Sequence, residues 1–556
     1  MEGLMQRHPL MISALLTHAA RHHPNAEVVS KTVEGAIHRY TYKEAERRAR
    51  RLARVLLRLG VEPHDRIGTI AWNGHRHFEI YYATAGMGAI CHTINPRLHP
   101  NDLSYMIGHA SDRLLFADTT FAPLIAAVAP RVRESVRAVV MMTDAANMPD
   151  LALAPGMDLL CYETLMAESD EDYAWPVFDE NTASTLCYTS GTTGRPKGVL
   201  YSHRSTWLHA YAVNQADALA LRATDRVLPV VPMFHVNAWG TPYTGPMSGA
   251  TLVMPGRHLD GASLHALMNE ERVTMAAGVP TVWMGLLQHL QASGGRLETV
   301  KRMLIGGSAC PQLLIEAFDR EYGVRVTQGW GMTEISPVGA INAPKPAHAG
   351  LSESASIRQR LKQGRILPGL DVKIVNDAGK ELPWDGVQFG DLLVRGPWVC
   401  SAYFGDPPGS ACDAEGWFAT GDVATIDPNG YIELTDRSKD VIKSGGEWIS
   451  SITLENIALS HPEVAEAAVV GAIHPRWDER PLLIVVPKQG CAPTPESVLS
   501  VYEGKVPRWW LPDAVAIVPE LPHTATGKLL KTALRAQYRD YLVQHHVQRD
   551  PEHVRS

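Results

Sequence analysis

The chain has 556 residues, more than one ordinary hydrophobic core contains, so we expect at least two domains. Hydrophobic residues make up 45% and charged residues 20%, which is typical of a folded globular chain and excludes a disordered one. The net charge is -7 and no long basic run occurs, which argues against a nucleic-acid-binding surface. The seven cysteines are dispersed and form no C-x-x-C pair, so we expect reduced thiols in a cytoplasmic protein.

The first part of the chain, residues 10–180, alternates helical patterns with short apolar runs. Residues 10–16 begin an amphipathic helix rather than a signal peptide, and no stretch has the length and apolarity of a membrane span. Apolar residues recur at helical spacing over 42–59, whereas 66–71 and 114–117 are typical of buried strands. This alternation predicts an α/β fold with a largely parallel sheet.

Four apolar runs in the middle of the chain each lead into a loop that contains glycine or proline. The runs and their loops are 184–188 before 189–191, 227–231 before 232–235, 303–305 before 306–307, and 324–326 before 329–331. Loops at the carboxyl ends of parallel strands are where α/β proteins bind ligands. We therefore expect the four loops to form one composite pocket.

The pattern changes in the last third of the chain. Two short strands, 371–375 and 391–394, and several turns with glycine or proline predict a small β-rich subdomain. A helix and two strands further on predict a small, mobile α+β domain. We place the boundary so that an N-terminal domain comprises residues 1–436 and a C-terminal domain comprises 437–556.

The strongest chemical signal is the segment Tyr188-Thr189-Ser190-Gly191-Thr192-Thr193-Gly194-Arg195-Pro196-Lys197-Gly198. Hydroxyl groups and glycine N–H groups in such a loop can surround phosphate oxygens, and Lys197 adds a positive partner. The spacing is not that of a Walker A loop, because Gly191 and Gly194 are too close together and Gly198 follows the lysine. This disfavours a P-loop kinase or ATPase.

The loop resembles the phosphate-binding signature of the adenylate-forming superfamily, which contains acyl-CoA synthetases, nonribosomal-peptide adenylation domains and beetle luciferases. Five further motifs resemble those of the superfamily and follow in the same order: Gly329-Trp330-Gly331-Met332-Thr333-Glu334, Thr420-Gly421-Asp422, Asp436-Arg437-Ser438-Lys439-Asp440, Ser444-Gly445-Gly446-Glu447 and Pro522-His523-Thr524-Ala525-Thr526-Gly527-Lys528. The resemblance covers nearly the whole chain. It implies an ATP-dependent acid–thiol ligase that forms an acyl-adenylate and then transfers the acyl group to coenzyme A.

The resemblance also implies which residues bind the nucleotide and act on it. The residues expected to contact ATP or AMP are Thr189, Ser190, Gly191, Thr192, Thr193, Gly194, Lys197, Gly329, Trp330, Gly331, Met332, Thr333, Asp422, Arg437 and Trp448. Glu334 and Thr189 are expected to bind Mg²⁺, a hard ion that suits oxygen ligands. Asp422 has the lone pairs to accept both ribose hydroxyls. Lys528, Glu334 and His235 are the expected catalytic residues.

A second half-reaction follows in the superfamily after its C-terminal domain rotates. Lys439 matches the hinge position, and Gly445, Gly446 and Glu447 match the loop beside the pantetheine arm of CoA. A rotation of this kind is a hinge closure. It would withdraw Lys528 before CoA enters by the same face.

The acid pocket is expected in residues 233–240, 279–283 and 306–309, and above all at Trp239, Gly306, Gly307 and Ser308. These segments contain no Lys, Arg or Asp, so an amino acid or a dicarboxylate is a poor substrate for them. Residues 279–283 are equally suited to ordinary core packing. The chain resembles bacterial medium-chain and long-chain fatty acyl-CoA synthetases and 3-methylmercaptopropionate ligases, in which an apolar tail is activated. A medium-chain fatty acid is our first expectation, and the thioether acid and a long-chain acid stay open.

Two other functions compete with this interpretation. Adenylation could precede transfer to a carrier protein, or release of acyl-AMP, although no carrier domain is attached. A non-catalytic binder is the second alternative, but such a chain would be expected to lose Lys528 or Glu334. Relatives of this kind are often homodimers, so we expect a homodimer here.

Overall fold

Three β-sheets and the helices that cover them make up the part of the chain that the computed structural model describes, residues 1, 3–189, 195–437, 440–444, 447–523 and 529–545. The α-helices are α1 (Ile12–His22), α2 (Tyr42–Arg58), α3 (His75–Gly86), α4 (Pro100–Ala110), α5 (Ala122–Val132), α6 (Tyr162–Ala167), α7 (His203–Val213), α8 (Thr241–Ser248), α9 (Gly261–Glu270), α10 (Pro280–Ser293), α11 (Gln312–Tyr322), α12 (Glu353–Arg360), α13 (Ser451–Ala458), α14 (Pro495–Ser500), α15 (Lys531–Tyr538) and α16 (Tyr541–Gln544).

The strands of the described residues alternate with these helices in the first two thirds of the chain. They are β1 (Glu27–Lys31), β2 (Ile37–Thr41), β3 (Arg66–Ile70), β4 (Ile90–Thr93), β5 (Asp112–Ala117), β6 (Ala138–Met141), β7 (Asp158–Cys161), β8 (Ala183–Tyr188), β9 (Gly198–Ser202), β10 (Arg226–Pro229), β11 (Thr251–Met254), β12 (Met275–Gly278), β13 (Arg302–Ile305), β14 (Arg325–Gly331), β15 (Val338–Ile341), β16 (Gly364–Ile366), β17 (Asp371–Val375), β18 (Gly390–Arg395), β19 (Phe418–Ile426), β20 (Tyr431–Arg437), β21 (Ile442–Ser444), β22 (Glu447–Ile449), β23 (Val464–His474), β24 (Asp478–Pro487) and β25 (Ala514–Ile517).

The local sequence patterns account for the longest predicted helix. The side chain of Thr41 accepts the N–H of Glu44, and the Glu44 carboxylate accepts the N–H of Thr41, so a capping box begins α2. The apolar residues at helical spacing, among them Leu52 and Leu56, are buried. The prediction of a helix over residues 42–59 is confirmed.

Two large sheets carry most of the chain. One has seven strands in the order β7-β6-β5-β3-β4-β8-β9 and is parallel except for the antiparallel β8–β9 pair. The other has thirteen strands in the order β17-β18-β19-β20-β16-β15-β14-β13-β12-β10-β11-β1-β2. Its middle, from β14 to β1, is parallel, and its two ends are antiparallel. The β-rich region expected after residue 371 is thus an extension of the larger sheet.

One predicted loop is wrong, because Gly329, Trp330 and Gly331 belong to β14. The strand pairs in parallel with β13 as far as Gln328 and then in antiparallel with β15 from Gly329. A β-carbon on Gly331 would lie 2.0 Å from the carbonyl oxygen of Pro337, so only glycine lets the strand continue this close to its neighbour.

Helices fill the space between the two large sheets and cover their outer faces. Apolar residues of α1, α2, α3, α7 and α8 form one core with strands of both sheets. Helices α9, α10 and α11 pack on the outer face of the larger sheet, and α4 and α5 on the outer face of the smaller one. Because parallel strands are buried on both faces, this layering explains their nearly continuous apolar sequences.

The last sheet belongs to the C-terminal part of the chain and combines β22, β21, β24, β23 and β25. Alternate residues of β23 and β24 point to two different cores. Helix α13 packs in one of them, and α15 and α16 pack in the other. The predicted fold class, an α/β architecture with a small α+β C-terminal unit, is confirmed. Among the described residues no helix is long and apolar enough to cross a membrane.

Candidate active site

A cavity of about 490 Å³ lies at the ends of strands from both large sheets. Thr189 follows β8 of the seven-stranded sheet and lines the cavity. His235, Gly306 and Trp330 line it from the ends of β10, β13 and β14 of the thirteen-stranded sheet. The four predicted segments therefore meet in one pocket, as the strand and loop pattern indicates.

The base of the phosphate-loop segment is a hairpin between two antiparallel strands. Tyr188 pairs with Gly198, and the N–H of Thr189 donates to the carbonyl oxygen of Lys197 over 2.8 Å. Thr189 and Lys197 both line the cavity. The intervening predicted contacts, Ser190, Gly191, Thr192, Thr193 and Gly194, lie outside the described residues.

Glu334 is a buried carboxylate in the cavity wall, with 7% of the residue exposed. It lies in the short 3-10 helix Thr333–Ile335. The hydroxyl of Tyr403 donates to Glu334 Oε1 over 3.0 Å, and the N–H of Cys400 donates to the Glu334 carbonyl over 2.8 Å. Two donors from one distant loop thus fix the position of this carboxylate and its backbone.

Tyr403 connects the carboxylate to a cation. The ammonium of Lys197 lies 4.6 Å from the centre of the Tyr403 ring, which is a cation–π contact. Burial, with the charge of Glu334 as a second cause, raises the pKa of Tyr403, so the phenol stays a hydrogen-bond donor. Tyr403 was not among the predicted site residues, because no motif surrounds it and it meets Glu334 only through the fold.

Asp422 and Trp330 form a buried pair. The indole Nε1–H of Trp330 donates to Asp422 Oδ2 over 2.9 Å, and both residues are less than a tenth exposed. Asp422 on β19 lies opposite Arg437 on the antiparallel strand β20. The structure thus brings Trp330 of β14 into contact with Asp422 and pairs Asp422 with Arg437, although for Arg437 it describes only the backbone.

A left-handed turn presents Trp239 to the cavity. Val236, Asn237, Ala238 and Trp239 have φ angles of 44°, 53°, 48° and 57°. Each of these costs an L-residue about 1–2 kcal/mol relative to right-handed backbone. Strain of this kind persists only where the surrounding structure holds the backbone in place, and it is concentrated at functional sites.

Side chains from the region of α3 hold the segment before this turn. The Asn73 side chain donates to the carbonyl oxygens of Pro229 and Val231 over 2.8 and 2.9 Å and accepts the N–H of Met233 over 2.6 Å. The Tyr81 hydroxyl donates to the carbonyl of Met233. Neither residue belongs to a motif, and a separation of about 150 residues leaves no local signal that could have identified them.

The predicted acid pocket divides between three places. Trp239 and Gly306 line the cavity of about 490 Å³, Ser308 lines a second cleft of about 520 Å³, and Gly307 lines both. From the segment 279–283, Val279, Thr281 and Val282 line the cavity and Trp283 does not. Trp283 is fully buried in the core beneath α10, where it packs against Gly278. Assigning this indole to the pocket was therefore wrong.

Arg97 lines the cavity but was not among the predicted site residues. Its guanidinium lies 5.8 Å from the ring centre of Trp72 and 5.9 Å from that of Phe234. Burial lowers the pKa of this arginine, which nevertheless remains a cation at neutral pH. The predicted pocket segments contain no Lys or Arg, but the cavity as a whole contains Arg97.

The second cleft separates the large sheets from the C-terminal part of the chain. Asp422 and Gly331 line it from one side, and His523 and Leu529 line it from the other. His523 and Leu529 also pair with each other, so both ends of the segment that contains Lys528 face this cleft. Lys528 itself, like Lys439, Gly445 and Gly446, lies outside the described residues. For Glu447 and Trp448 only the strand backbone is described.

Two family models match this chain, and both describe enzymes that bind AMP. A family model described as "AMP-binding enzyme" matches residues 16–404, and one described as "AMP-binding enzyme C-terminal domain" matches residues 453–528. The chain belongs to the AMP-binding enzyme family. This member is 51% identical over 542 residues to a 3-methylmercaptopropionyl-CoA ligase of Ruegeria lacuscaerulensis, with 98% of this chain and 100% of the relative covered.

A second relative has a different acid in its name. The family member is 50% identical over 543 residues to a medium-chain-fatty-acid–CoA ligase of Ectopseudomonas oleovorans, with 98% of each chain covered. The chain is therefore an acyl-CoA ligase of the AMP-forming class. The solved structure of the anthranilate CoA ligase AuaEII with anthranoyl-AMP matches with a TM-score of 0.84 over 96% of this chain and 99% of that one. Its sequence identity of 23% supports the shared fold alone.

Proposed function

We propose that this acyl-CoA ligase activates a carboxylic acid with an uncharged, apolar tail, with a medium-chain fatty acid as the first candidate. The observation that carries the proposal is the apolar wall of the cavity, where Val236, Leu259, Val279 and Val282 lie together with Trp239. A second carboxylate or an amino group would lose hydration against these side chains and gain no ionic partner from them. An alkyl or thioether tail gains free energy from the same contact.

In the proposed first half-reaction, a carboxylate oxygen of the acid attacks the α-phosphorus of ATP. The bond from that phosphorus to its bridging oxygen breaks, and pyrophosphate leaves. Asp422, oriented by the Trp330 N–H, would accept the ribose hydroxyls. Lys197 and Lys528 would neutralise the charge that develops on the phosphates. His235 lines the same cavity and is proposed to contact the reacting carboxylate.

The donor set of the cavity fits a magnesium ion. Glu334 and Thr189 both line it and both present oxygen, the ligand atom that Mg²⁺ prefers. Among the described residues no group of three or more His, Cys, Asp or Glu side chains could hold a metal. Most ligands would therefore come from ATP phosphates and water, as is usual for Mg²⁺. A bound Mg²⁺ would supply charge neutralisation of the phosphates.

The second proposed half-reaction is attack of the CoA sulfur on the acyl carbonyl carbon, with AMP as the leaving group. We propose that residues 437–556 rotate against residues 1–436 about Lys439 between the two steps. Gly445, Gly446 and Glu447 would then lie beside the pantetheine arm. The separate apolar cores of the C-terminal sheet support movement of this part as one body.

The test is a panel of acids, assayed for pyrophosphate release and for thioester with and without CoA. Straight-chain acids from propionate to palmitate, with 3-methylmercaptopropionate, succinate and an amino acid, would sample length and charge separately. We expect pyrophosphate and thioester with the apolar acids and neither with succinate or the amino acid. Activity greatest on a charged tail would contradict the proposal, and pyrophosphate without thioester would favour another acceptor.

The length series also measures the depth of the pocket. Burying one more methylene contributes roughly 0.8 kcal/mol, so kcat/KM should rise about fourfold per carbon until the tail reaches the end of the cavity. A plateau at eight to ten carbons, an approximate span for a medium chain, would support the first candidate. A maximum at 3-methylmercaptopropionate, the acid named for the Ruegeria relative, would favour the thioether acid instead.

We also propose a cytoplasmic homodimer. The seven cysteines are all free thiols in the structure, which is compatible with a reducing compartment. Light scattering during size-exclusion chromatography would measure the mass of the assembly, and a monomer at micromolar concentration would contradict the dimer.

A further inference from the structure

Helix α15 carries two basic residues one turn apart, Lys531 and Arg535, which contact the chain on opposite sides of residues 438–439. This helix begins three residues after Lys528, and Leu529 and Lys531 on that side of the segment line the second cleft. The two contacts differ in kind, because one lies within the C-terminal unit and the other crosses out of it.

Arg535 makes the contact that stays within the C-terminal unit. Its guanidinium pairs with both carboxylate oxygens of Glu479 at 2.7 and 2.9 Å. It also donates to the carbonyl oxygen of Val441, 3.1 Å away, in the segment that follows residues 438–439. Glu479 belongs to β24 and Val441 precedes β21 in the same sheet, so a rotation at 438–439 moves all these groups together.

Lys531 makes the contact that crosses out of this unit. Its ammonium lies 2.8 Å from Glu455 Oε1 on α13 and 3.9 Å from Asp436 Oδ1 on β20, and it donates to the Ser451 hydroxyl. The Lys531 side chain is 12% exposed and that of Asp436 is 2% exposed. Burial alone would lower the pKa of Lys531, but Glu455 and Asp436 outweigh it and raise the pKa.

Asp436 is also held by the start of α13. Its Oδ2 accepts the N–H and the hydroxyl of Ser451 over 3.1 and 2.5 Å. In the strand ladder, however, Asp436 pairs with Val423 of β19, which belongs to the thirteen-stranded sheet. Asp436 therefore belongs to the large N-terminal body, whereas Ser451, Glu455 and Lys531 belong to the C-terminal unit.

A rotation at residues 438–439 would act differently on these two sets of contacts. Lys531 and Glu455 would remain paired, because α13 and α15 both pack on the C-terminal sheet. The contacts of Asp436 with Lys531 and Ser451 would break, because Asp436 stays in the ladder with β19. The cluster of Asp436, Ser451 and Lys531 is thus specific to the arrangement in which His523 and Leu529 line the second cleft.

We propose that Lys531 is a positioning residue for adenylate formation: with Asp436 and Ser451 it stabilises the arrangement that directs the Lys528 segment to the nucleotide. Lys531 has no chemical part in the reaction. It determines how often the C-terminal unit occupies the adenylation arrangement. The inference rests on the proposed two-step function with rotation between the steps.

The test separates the two half-reactions in variants of the full-length enzyme. Lys531→Met removes the ammonium and keeps the length of the side chain. If the competent fraction falls to about a tenth, acid-dependent exchange of pyrophosphate into ATP falls about tenfold. Thioester formation from supplied acyl-AMP and CoA should be unchanged or faster, because the competing arrangement is weakened. Lys531→Arg, which keeps a cation, should recover much of the exchange.

Two further variants make the result decisive. Asp436→Asn keeps the shape and a hydrogen-bond acceptor but removes the charge, and it should shift the two half-reactions in the same directions by a smaller factor. Arg535→Met, on the same helix, is the matched control, because the contacts of Arg535 move with the C-terminal unit. This substitution should therefore affect both half-reactions alike.

Equal loss of both half-reactions in Lys531→Met and Asp436→Asn, or no loss in either, would overturn the inference. If Lys531→Met does not fold, Asp436→Asn decides the question by itself. The proposed function itself would fail if the wild-type enzyme exchanged no pyrophosphate with any acid in the panel, which is distinguishable from the outcomes for the variants.

Discussion

The hydrogen bond from the Trp330 indole to Asp422 can be removed with little change in shape. Trp330→Phe deletes the Nε1–H, which lies 2.9 Å from Asp422 Oδ2, and keeps an aromatic ring in the core. Asp422 is 3% exposed, so water cannot readily replace the lost donor. If Asp422 binds the ribose hydroxyls, its carboxylate becomes less well oriented toward ATP.

The size of the effect follows from the type of hydrogen bond. A hydrogen bond to a charged group contributes about 1.5–3 kcal/mol net. The bond exists before ATP binds, so only the part of this free energy that orients Asp422 for ATP affects kcat/KM. Since about 1.4 kcal/mol corresponds to a factor of ten, kcat/KM for ATP should fall by about 10-fold, and by about 100-fold at most. KM for the acid at saturating ATP should change little, because Asp422 lines the second cleft, whereas the apolar wall proposed to hold the acid lines the cavity.

Trp283→Phe is a matched control, because Trp283 is another buried tryptophan. Its Nε1–H has no hydrogen-bond partner among the described residues, and its ring does not line the cavity. The same substitution there should lower the free energy of unfolding through lost packing and leave kcat/KM for ATP unchanged. Steady-state kinetics with varied ATP measures both variants. A value for Trp330→Phe within about twofold of wild type would refute the assigned role of this hydrogen bond.

Two further substitutions test other parts of the site, and a third tests a buried ion pair of the C-terminal unit. Gly306→Ala would place a methyl group 3.1 Å from the Trp239 indole, so the ratio of kcat/KM for decanoate to that for propionate should fall; an unchanged ratio would exclude this wall from the acid pocket. Tyr403→Phe removes the donor to Glu334 and should lower pyrophosphate exchange about tenfold at limiting Mg²⁺, and no change would contradict the role of this contact. Arg480→Met leaves the buried Asp513 unpaired and should lower the free energy of unfolding by about 3–5 kcal/mol in urea titrations; a loss under about 1 kcal/mol would refute this.

The parts of the site that the sequence predicted are those with a local signal. An apolar run followed by glycine or proline marks the end of a buried strand wherever it occurs, so β8, β10 and β13 and the segments after them were predictable. The same rule failed at Gly329, because glycine is also the residue that lets a strand pass close to its neighbour. Whether such a glycine ends a strand or continues it depends on the neighbouring backbone. The local sequence pattern of β14 does not show that the backbone of Pro337 packs against Gly331.

The parts that the sequence did not predict depend on contacts between distant segments. Tyr403 lies in a stretch without regular periodicity, and only the fold brings it to Glu334. Asn73 and Arg97 lie in ordinary connections after β3 and β4 and reach the cavity or its loops from the other large sheet. Trp283 shows the reverse error, because an aromatic residue near a pocket motif is as suited to the core as to the pocket.

The left-handed turn before α8 depends both on residues with a local sequence signal and on residues that reach it only through the fold. Its motif was visible in the sequence, but the motif alone does not explain why four residues other than glycine adopt positive φ angles. At about 1–2 kcal/mol each, the four conformations cost roughly 4–8 kcal/mol, which contacts around the turn must offset. Asn73 and Tyr81 supply hydrogen bonds to both backbone groups of Met233 from the region of α3. The position of Trp239 therefore depends on Asn73 and Tyr81 as well as on its own motif. Although Tyr81 does not line the cavity, Tyr81→Phe should change the ratio of kcat/KM for decanoate to that for propionate, and an unchanged ratio would contradict this dependence.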